Sequence, residues 1–299
     1  MSTLTLNLAS THARALWQLC KPRVLLLILF CAVIGMALAS PGWPDPAVVV
    51  PATVGIALVA AAAAMVNCLV ERTIDARMRR TAHRATARGA VSSPETLLAA
   101  SMLGAAGMLV LLVWVNALTA WLTLATFVGY AVVYTLLLKP ATPQNIVIGG
   151  ASGAMPPVLG WVAVTQHIDP MALALFLIIY AWTPPHFWAL ALYRRDDYAR
   201  AGLPMLPVTH GERFTTLSIL LYALLLAGLT LLPVAWGGSG FLYLFCVVIL
   251  NLRLILIAVS LHRQYAADQA RRLFAWSIWY LTALFAALLL DHYWQMVVR

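Results

Sequence analysis

Three side chains with oxygen ligands recur at intervals of four residues in "VNCLVERTIDARMRRTAHRATAR", residues 66 to 88. They are Asn67, Glu71 and Asp75, and six arginines lie among and after them. On a continuous helix this spacing puts all three on one face, each about 6 Å above the last. Mg²⁺ prefers such hard oxygen ligands and is usually held by carboxylates together with phosphate oxygens. This acidic ladder therefore predicts one wall of a metal site.

A second acidic cluster occurs in "YRRDDYARAG", residues 193 to 202, where Asp196 and Asp197 follow Arg194 and Arg195. Two acidic clusters that face one cavity would suit a diphosphate bridged by Mg²⁺. Arginine or lysine beside them would match the remaining phosphate charge. The chemistry predicted from both clusters is therefore the binding of a diphosphate, and the apolar sequence around them indicates that the diphosphate carries a lipid tail.

A plainer interpretation of the ladder is a solvated helix end. Glu71 and Asp75 would then pair with arginines at helical spacing, namely Arg72, Arg77 or Arg79. This arrangement is common at the ends of helices and needs no ligand. The ladder by itself leaves both interpretations open.

The elements that must position these residues are apolar helices. Of the 299 residues, 63% are hydrophobic and only 10% are charged, far from the composition of soluble domains. A membrane span needs roughly 20 apolar residues, and about nine such stretches occur. We predict an all-α polytopic membrane protein with spans at residues 23–40, 47–70, 95–115, 117–138, 146–165, 170–192, 214–235, 240–259 and 273–291.

The spans form one domain, because the chain contains no linker rich in Gly and Ser or in Pro. We therefore predict an amphipathic N-terminal lead-in at residues 1–22, a single transmembrane domain at residues 23–292 and a short C-terminal tail at residues 293–299.

The formal charge of +9 is distributed unevenly. Threading the chain through the bilayer places all of the 19 basic residues except Arg299 on one side. Since loops rich in Lys and Arg stay in the cytoplasm, we expect the N-terminus and both acidic clusters to face the cytoplasm from the inner (plasma) membrane. The same asymmetry accounts for the basic excess, so nucleic acid is not an expected partner.

The acidic ladder resembles the Asn-x-x-x-Asp-x-x-x-Asp motif of the UbiA superfamily of intramembrane prenyltransferases, with Glu71 at the usual place of Asp. The second motif of that superfamily, Asp-x-x-x-Asp, is matched only by Asp197, because Tyr193 stands four residues earlier, and this leaves the role of Asp196 open. The runs "NIVIGGASGAMPPVLGW" and "TPPHFWALAL" are similar to the members of the superfamily that prenylate heme, over residues 15 to 290.

This resemblance implies a UbiA-type helical bundle with a central cavity open to the cytoplasmic side. It implies transfer of a farnesyl group from farnesyl diphosphate to a vinyl group of heme b, with Mg²⁺ as cofactor. The metal ligands would be Asn67, Glu71, Asp75 and Asp197. The candidates to neutralise the departing diphosphate are Arg77, Lys139 and Arg195. For heme and the allylic cation the candidates are Arg23, Tyr134, His186, Tyr193 and Arg194.

His186 is the only histidine that we place inside a span. A buried histidine in a membrane helix usually has a function, and imidazole is a common ligand of heme iron. Alternatively, His186 could satisfy carbonyl groups that Pro184 and Pro185 leave without a donor. Both interpretations remain open.

Other functions and partners remain to be weighed. A related enzyme could prenylate an aromatic quinone precursor or a chlorophyll-like ring with the same metal site. A secondary transporter or lipid-diphosphate carrier should instead carry polar residues at mid-span on several helices, whereas nearly all acids here lie at one surface. Membrane lipid is an expected partner, and a downstream heme-modifying enzyme is a further candidate.

Overall fold

A computed structural model describes residues 12 to 298, and the predicted nine-span helical architecture is confirmed. No strand occurs among these residues. The nine long, apolar helices are α1 (Pro22–Ala39), α2 (Pro46–Val70), α3 (Ser93–Trp114), α4 (Ala117–Ala141), α5 (Asn145–Thr165), α6 (Pro170–Tyr193), α7 (Gly211–Ala235), α8 (Phe241–Arg263) and α9 (Ala267–Val298).

Part of the predicted N-terminal lead-in lies outside the described residues. Residues 12–19 form a short helix that precedes α1. Leu19 of this helix is buried while Trp17 is 60% exposed. The amphipathic character of the whole lead-in at residues 1–22 remains a prediction.

The helices form a bundle around α6, which is the most buried of the nine. α6 packs against α5, α7 and α9, while α2 packs along α3 and α8 along α9. α9 also contacts α1 and so connects the end of the chain to its beginning. All nine helices consequently belong to one packed unit.

Helix α5 is broken in the middle, directly before Pro156 and Pro157. Its first half ends at Ala154 and its second half starts at Pro156. The second half lies directly against α1: a Cβ atom on Gly160 would be 1.9 Å from the carbonyl oxygen of Ala32. Only glycine fits there, so this small residue of "GGASGAMPPVLGW" allows the two helices to approach closely.

Both acidic clusters lie at the same end of the bundle. Lys139, at the end of α4, contacts Glu71, and the hydroxyl of Tyr265, before α9, donates to the carbonyl of Leu192 in α6. At the opposite end, Asn116 donates to Val162 and His292 contacts the carbonyl of Ser40. We call the first of these the charged end; its assignment to the cytoplasm remains a prediction.

One basic residue is an exception to the predicted charge asymmetry. Arg253 lies within α8, ten residues before its last residue Arg263, and its side chain is exposed on the outside of the bundle. The threading assigned it to the charged side together with the loop arginines. It lies instead near the middle of α8, and on a helix that spans a bilayer a charge at such a position is costly and usually has a function.

The contact between α1 and α5 gives a test of the packing. Gly160→Ala should lower the midpoint of thermal unfolding in detergent, because the new methyl group meets the backbone of Ala32 rather than a movable side chain. We expect a destabilisation of about 1–3 kcal/mol, as for other overpacked cores. Gly153→Ala in the same span is the control, since a Cβ there meets nothing within 4 Å. Equal midpoints for the two variants would contradict the close contact.

Candidate functional site

The acidic ladder keeps its helical register although α2 ends at Val70. The amide of Glu71 donates to the carbonyl of Asn67 at 3.0 Å, and the amide of Asp75 donates to the carbonyl of Glu71 at 2.7 Å. These two bonds connect α2 to the short helix Arg72–Arg77. Asn67, Glu71 and Asp75 are all nearly inaccessible to solvent, with exposed fractions of 2%, 4% and 1%. The ladder is therefore buried.

Each ladder side chain contacts a cation that comes from elsewhere in the chain. Lys21 Nζ donates to Asn67 Oδ1 at 2.5 Å, and Lys139 Nζ donates to Glu71 Oε1 at 2.5 Å. Arg84 Nη1 lies 2.6 Å from Asp75 Oδ2 and 4.0 Å from Glu71 Oε2. The ladder consequently holds together the segment before α1, the end of α2, the end of α4 and the loop before α3.

The plainer interpretation of the ladder is wrong for the residues that the structure describes. Arg72 donates to the hydroxyl of Ser93 instead of pairing with a ladder acid. Arg77 is exposed and, within residues 12–298, pairs with no carboxylate. Glu71 thus pairs with Lys139, 68 residues away, and Asp75 with Arg84 of the following loop, and both acids are buried rather than solvated.

The cations determine the charge state of Glu71. Burial alone raises the pKa of a carboxyl group, but the charge of Lys139, its hydrogen bond and the charge of Lys21 outweigh this effect and hold the pKa of Glu71 below its usual value. Glu71 is therefore ionised at neutral pH, as a metal ligand must be.

The second cluster separates its two acids. Asp197 is 5% exposed; Arg200 donates a hydrogen bond to its carboxylate, and Arg194 Nη1 lies 3.7 Å from it. Asp196 is exposed. Its burial and its pairing with arginines thus favour Asp197 over Asp196 as the candidate metal ligand, and Asp197 is also the residue that matches the superfamily motif.

The two clusters lie at the same, charged end of the bundle. Met78, which follows the ladder, belongs to the same extended hydrophobic core as Tyr198 and Leu203, which follow Asp197. The convergence of both clusters on one substrate remains a prediction.

A π-helix forms the adjoining part of α4, from Gly129 to Leu138. π-helices are rare and frequent at functional sites. Thr135 Oγ1 of this segment accepts from Asn67 Nδ2 at 3.1 Å, and the hydroxyl of Tyr130 accepts from Lys21 Nζ at 3.4 Å. Lys139 Nζ lies 6.0 Å from the ring centroid of Tyr134. The π-helix thus supplies the side chains that orient the ladder and its cations.

His186 is buried in α6 between aromatic rings. Its ring stacks between Trp182, at a centroid distance of 4.4 Å, and Phe274, at 4.5 Å. Its Nδ1 lies 2.7 Å from Ser277 Oγ, and the hydroxyl of Ser277 donates to the carbonyl of Phe274. The histidine therefore satisfies a hydroxyl of α9 rather than a carbonyl freed by Pro184 or Pro185.

The other predicted residues lie nearer the surface. Tyr193 is half-buried, with the guanidinium groups of Arg194 and Arg271 at 5.6 and 5.5 Å from its ring centroid. Arg195 is exposed and pairs with Glu212. Arg23 is exposed as well. Their predicted contacts with substrate remain predictions.

Four residues of the site were not predicted: Lys21, Arg84, Thr135 and Arg200. Lys21 lies in "KPRV", where Arg23 was preferred, and its positive φ of 53° marks an unusual backbone. Arg84 is one of six arginines in a segment without periodicity, so nothing in the sequence indicates its direction. Only the folded contacts distinguish these residues.

The donor set fits a magnesium ion that a substrate completes. Among the described residues, no three side chains of His, Cys, Asp or Glu converge on one point. Glu71 and Asp75 do both face Arg84, and Mg²⁺ in phosphate-binding sites takes one or two carboxylates besides phosphate oxygens. The arrangement can therefore hold a metal together with a diphosphate.

A comparison of the sequence with known protein families also indicates a prenyltransferase. The model of the UbiA prenyltransferase family matches residues 28–297. The chain therefore belongs to the UbiA prenyltransferase family. It is a multi-pass membrane protein with nine apolar helices in the described residues.

Similar proteins and solved structures indicate which kind of prenyltransferase the chain resembles. The chain is 74% identical over 294 residues to "Protoheme IX farnesyltransferase 1" of Chromobacterium violaceum, with 98% of each chain covered. A solved structure of digeranylgeranylglyceryl phosphate synthase has a TM-score of 0.80 at 16% identity, and covers 94% of this chain and 99% of its own. The structure of a UbiA homologue from Archaeoglobus fulgidus bound to GPP and Mg²⁺ has a TM-score of 0.62 at 15% identity, with coverages of 92% and 99%.

The buried pair between Lys139 and Glu71 gives a testable prediction. Lys139→Gln should destabilise the protein by about 3–5 kcal/mol at neutral pH, because it leaves an ionised carboxylate buried without its partner. Without the lysine, Glu71 loses the largest of the charges that offset its burial, so its pKa rises relative to the unchanged protein. The loss of thermal midpoint relative to the unchanged protein should therefore shrink as the pH falls below 7, because Glu71 of the variant takes up a proton more readily.

Arg195→Gln is the matched control, since the pair of Arg195 with Glu212 is exposed. It should cost about 0–1 kcal/mol at every pH. A difference between the two variants that does not depend on pH would contradict the electrostatic account of Glu71.

Proposed function

We propose that the protein transfers the farnesyl group of farnesyl diphosphate to a vinyl group of heme b and so produces heme O. The single observation that carries this proposal is the buried, cation-paired ladder at one end of an apolar bundle. The identity of 74% with a protoheme IX farnesyltransferase supports both substrates. The UbiA homologue bound to GPP and Mg²⁺ supports metal-assisted prenyl transfer.

The diphosphate end of the substrate would lie between the two acidic clusters. Asn67, Glu71, Asp75 and Asp197 would hold the metal. When bound, Mg²⁺ neutralises the diphosphate charge and so makes the allylic C–O bond easier to break. Lys139 and Arg84 lie beside these acids, and they can shift from a carboxylate to a phosphate oxygen without meeting bulk water. Arg77 and Arg195, which are both exposed, would neutralise the remaining charge of the diphosphate.

The reaction needs a cation to survive for a short time. The C–O bond breaks with its electron pair going to the diphosphate, and the vinyl π electrons of heme b form the new C–C bond with the allylic carbon. The cation left on the heme side takes up water and releases a proton, which yields a hydroxyethylfarnesyl group. The aromatic faces of Tyr134 and Tyr193 can stabilise the positive charge, and closure of the loops around the two clusters would exclude water until the C–C bond has formed.

His186 is our candidate for contact with heme. Since the hydroxyl of Ser277 donates to Phe274, it can accept from the Nδ1–H group of His186. This tautomer leaves the lone pair of Nε2 free for iron or for a heme substituent. Arg23 and Arg194 would pair with the heme propionates, because both lie at the charged end.

Orientation and partners follow from the same account. We place the charged end in the cytoplasm, with the protein in the inner (plasma) membrane and residues 23–292 as its one domain. The product remains an amphiphile in the bilayer, so an enzyme that modifies it further is the expected partner.

The direct test is a reaction with purified protein, Mg²⁺, heme b and farnesyl diphosphate, followed by mass spectrometry of the heme. We expect the heme mass to increase by one farnesyl group and one hydroxyl group, because the proton of the added water is released. Unchanged heme, together with prenylation of an added aromatic acid, would instead identify an enzyme that acts on quinone precursors. Release of neither product, with transport of a lipid diphosphate, would favour a carrier.

The neighbouring acids of the second cluster allow a sharp comparison. Asp75→Asn and Asp197→Asn should each reduce turnover by about 100-fold or more. Each variant removes a carboxylate that would hold the Mg²⁺, and the Mg²⁺ in turn stabilises the departing diphosphate. Asp196→Asn is the control and should retain turnover, because Asp196 is exposed. All three variants should keep the gel-filtration profile of the unchanged protein. Equal activity of the Asp196 and Asp197 variants would remove the second cluster from the site.

A further inference from the structure

A groove with a volume of about 560 Å³ lies between α8 and α9 on the outside of the bundle. No residue of either acidic cluster lines it. Its polar lining comes from Arg253, Ser260, Gln269 and Arg272, and Leu256 and Trp279 contribute apolar surface. We call it the outer groove. It combines two arginines with apolar walls, as a site for an anionic amphiphile requires.

Arg253 is the deepest charge of the outer groove. It lies ten residues before the end of α8 at Arg263, which corresponds to about 15 Å along the helix. Its guanidinium carbon is 3.9 Å from the ring centroid of Trp276, a close cation–π contact. A charge at this depth is unfavourable unless it reaches the interface or binds a counter-ion.

The groove contains polar groups without partners. Within residues 12–298, neither Arg253 nor Arg272 forms an ion pair with a carboxylate. Trp276 Nε1 and Gln269 Oε1 are buried and have no hydrogen-bond partner among the described residues. Two cations and a donor are thus available to a phosphate, and one acceptor is available to a hydroxyl group. Buried groups of this kind are costly unless a ligand satisfies them.

We propose that the outer groove binds one anionic phospholipid of the surrounding bilayer, with a hydroxyl-bearing head group such as that of phosphatidylglycerol. Its phosphate lies between Arg253 and Arg272, and a head-group hydroxyl donates to Gln269. The acyl chains run along Leu256 and Trp279, which are 59% and 69% exposed on the outside of the bundle. Basic pockets between membrane helices near the charged side bind anionic head groups in this way.

The position of the lipid connects it to the rest of the bundle. Trp276 of the groove directly precedes Ser277, a buried residue of α9 whose hydroxyl contacts His186. A lipid that contacts both α8 and α9 would therefore stabilise the position of α9, the helix that carries Ser277, the hydrogen-bond partner of His186.

The test uses native mass spectrometry of the full-length, delipidated protein titrated with phosphatidylglycerol or with phosphatidylcholine. The unchanged protein should retain one phosphatidylglycerol at concentrations at which it retains no phosphatidylcholine. The double variant Arg253→Gln/Arg272→Gln should bind phosphatidylglycerol about tenfold more weakly or worse, because it loses two charge-assisted hydrogen bonds. Arg263→Gln is the control: this arginine is exposed at the end of the same helix and does not line the groove.

A second variant keeps the test decisive if the double variant fails to fold. Ala275→Trp fills the outer groove from an exposed position and keeps both arginines, so it should cause the same loss. The proposal is overturned if either folded variant binds phosphatidylglycerol as well as Arg263→Gln does. It is overturned equally if the two lipids bind alike, or if farnesyl diphosphate displaces the retained lipid one for one.

Discussion

The site depends on the compensation of buried carboxylates by cations from distant parts of the chain. Two acids at the end of a membrane helix are expensive to remove from water, and only close partners with good geometry offset that cost. Glu71 has Lys139 of α4, and Asp75 has Arg84 of the following loop. Lys21, from the segment before α1, donates a hydrogen bond to the uncharged amide of Asn67. Together with the hydrogen bonds of Asn67 to Thr135 and of Thr86 to the carbonyl of Cys68, these pairs fix the relative positions of the elements around the ladder.

In the proposed function, the same pairs would respond to a diphosphate. In a low-dielectric region, a cation without an anion is as unfavourable as an anion without a cation. A diphosphate with its metal brings both signs of charge, so it can exchange partners with the existing pairs and leave none of them unmatched. The π-helix of α4 contributes to this exchange, because Thr135 and Tyr130 hold Asn67 and Lys21 from the side. Catalysis by positioned charges needs such preorganisation.

The sequence was sufficient for the features that depend on local pattern. The apolar runs predicted the nine spans, and the spacing of four placed Asn67, Glu71 and Asp75 on one face. It was insufficient for features that depend on tertiary contact. The contact of Lys139 with Glu71 spans 68 residues and that of His186 with Ser277 spans 91, so no local pattern indicates either. The π-helix also has no signal in "GYAVVYTLLL", because its register is decided by packing against α2 and α5.

The most direct measurement is an experimental structure with Mg²⁺ and an unreactive analogue of farnesyl diphosphate. The account predicts metal within about 2.1 Å of a carboxylate oxygen from the acidic ladder, with Asp197 on the other side of the same diphosphate. It also predicts that Lys139 has moved from Glu71 to a phosphate oxygen. A diphosphate bound elsewhere, with the pairs of Glu71 and Asp75 intact, would contradict the account.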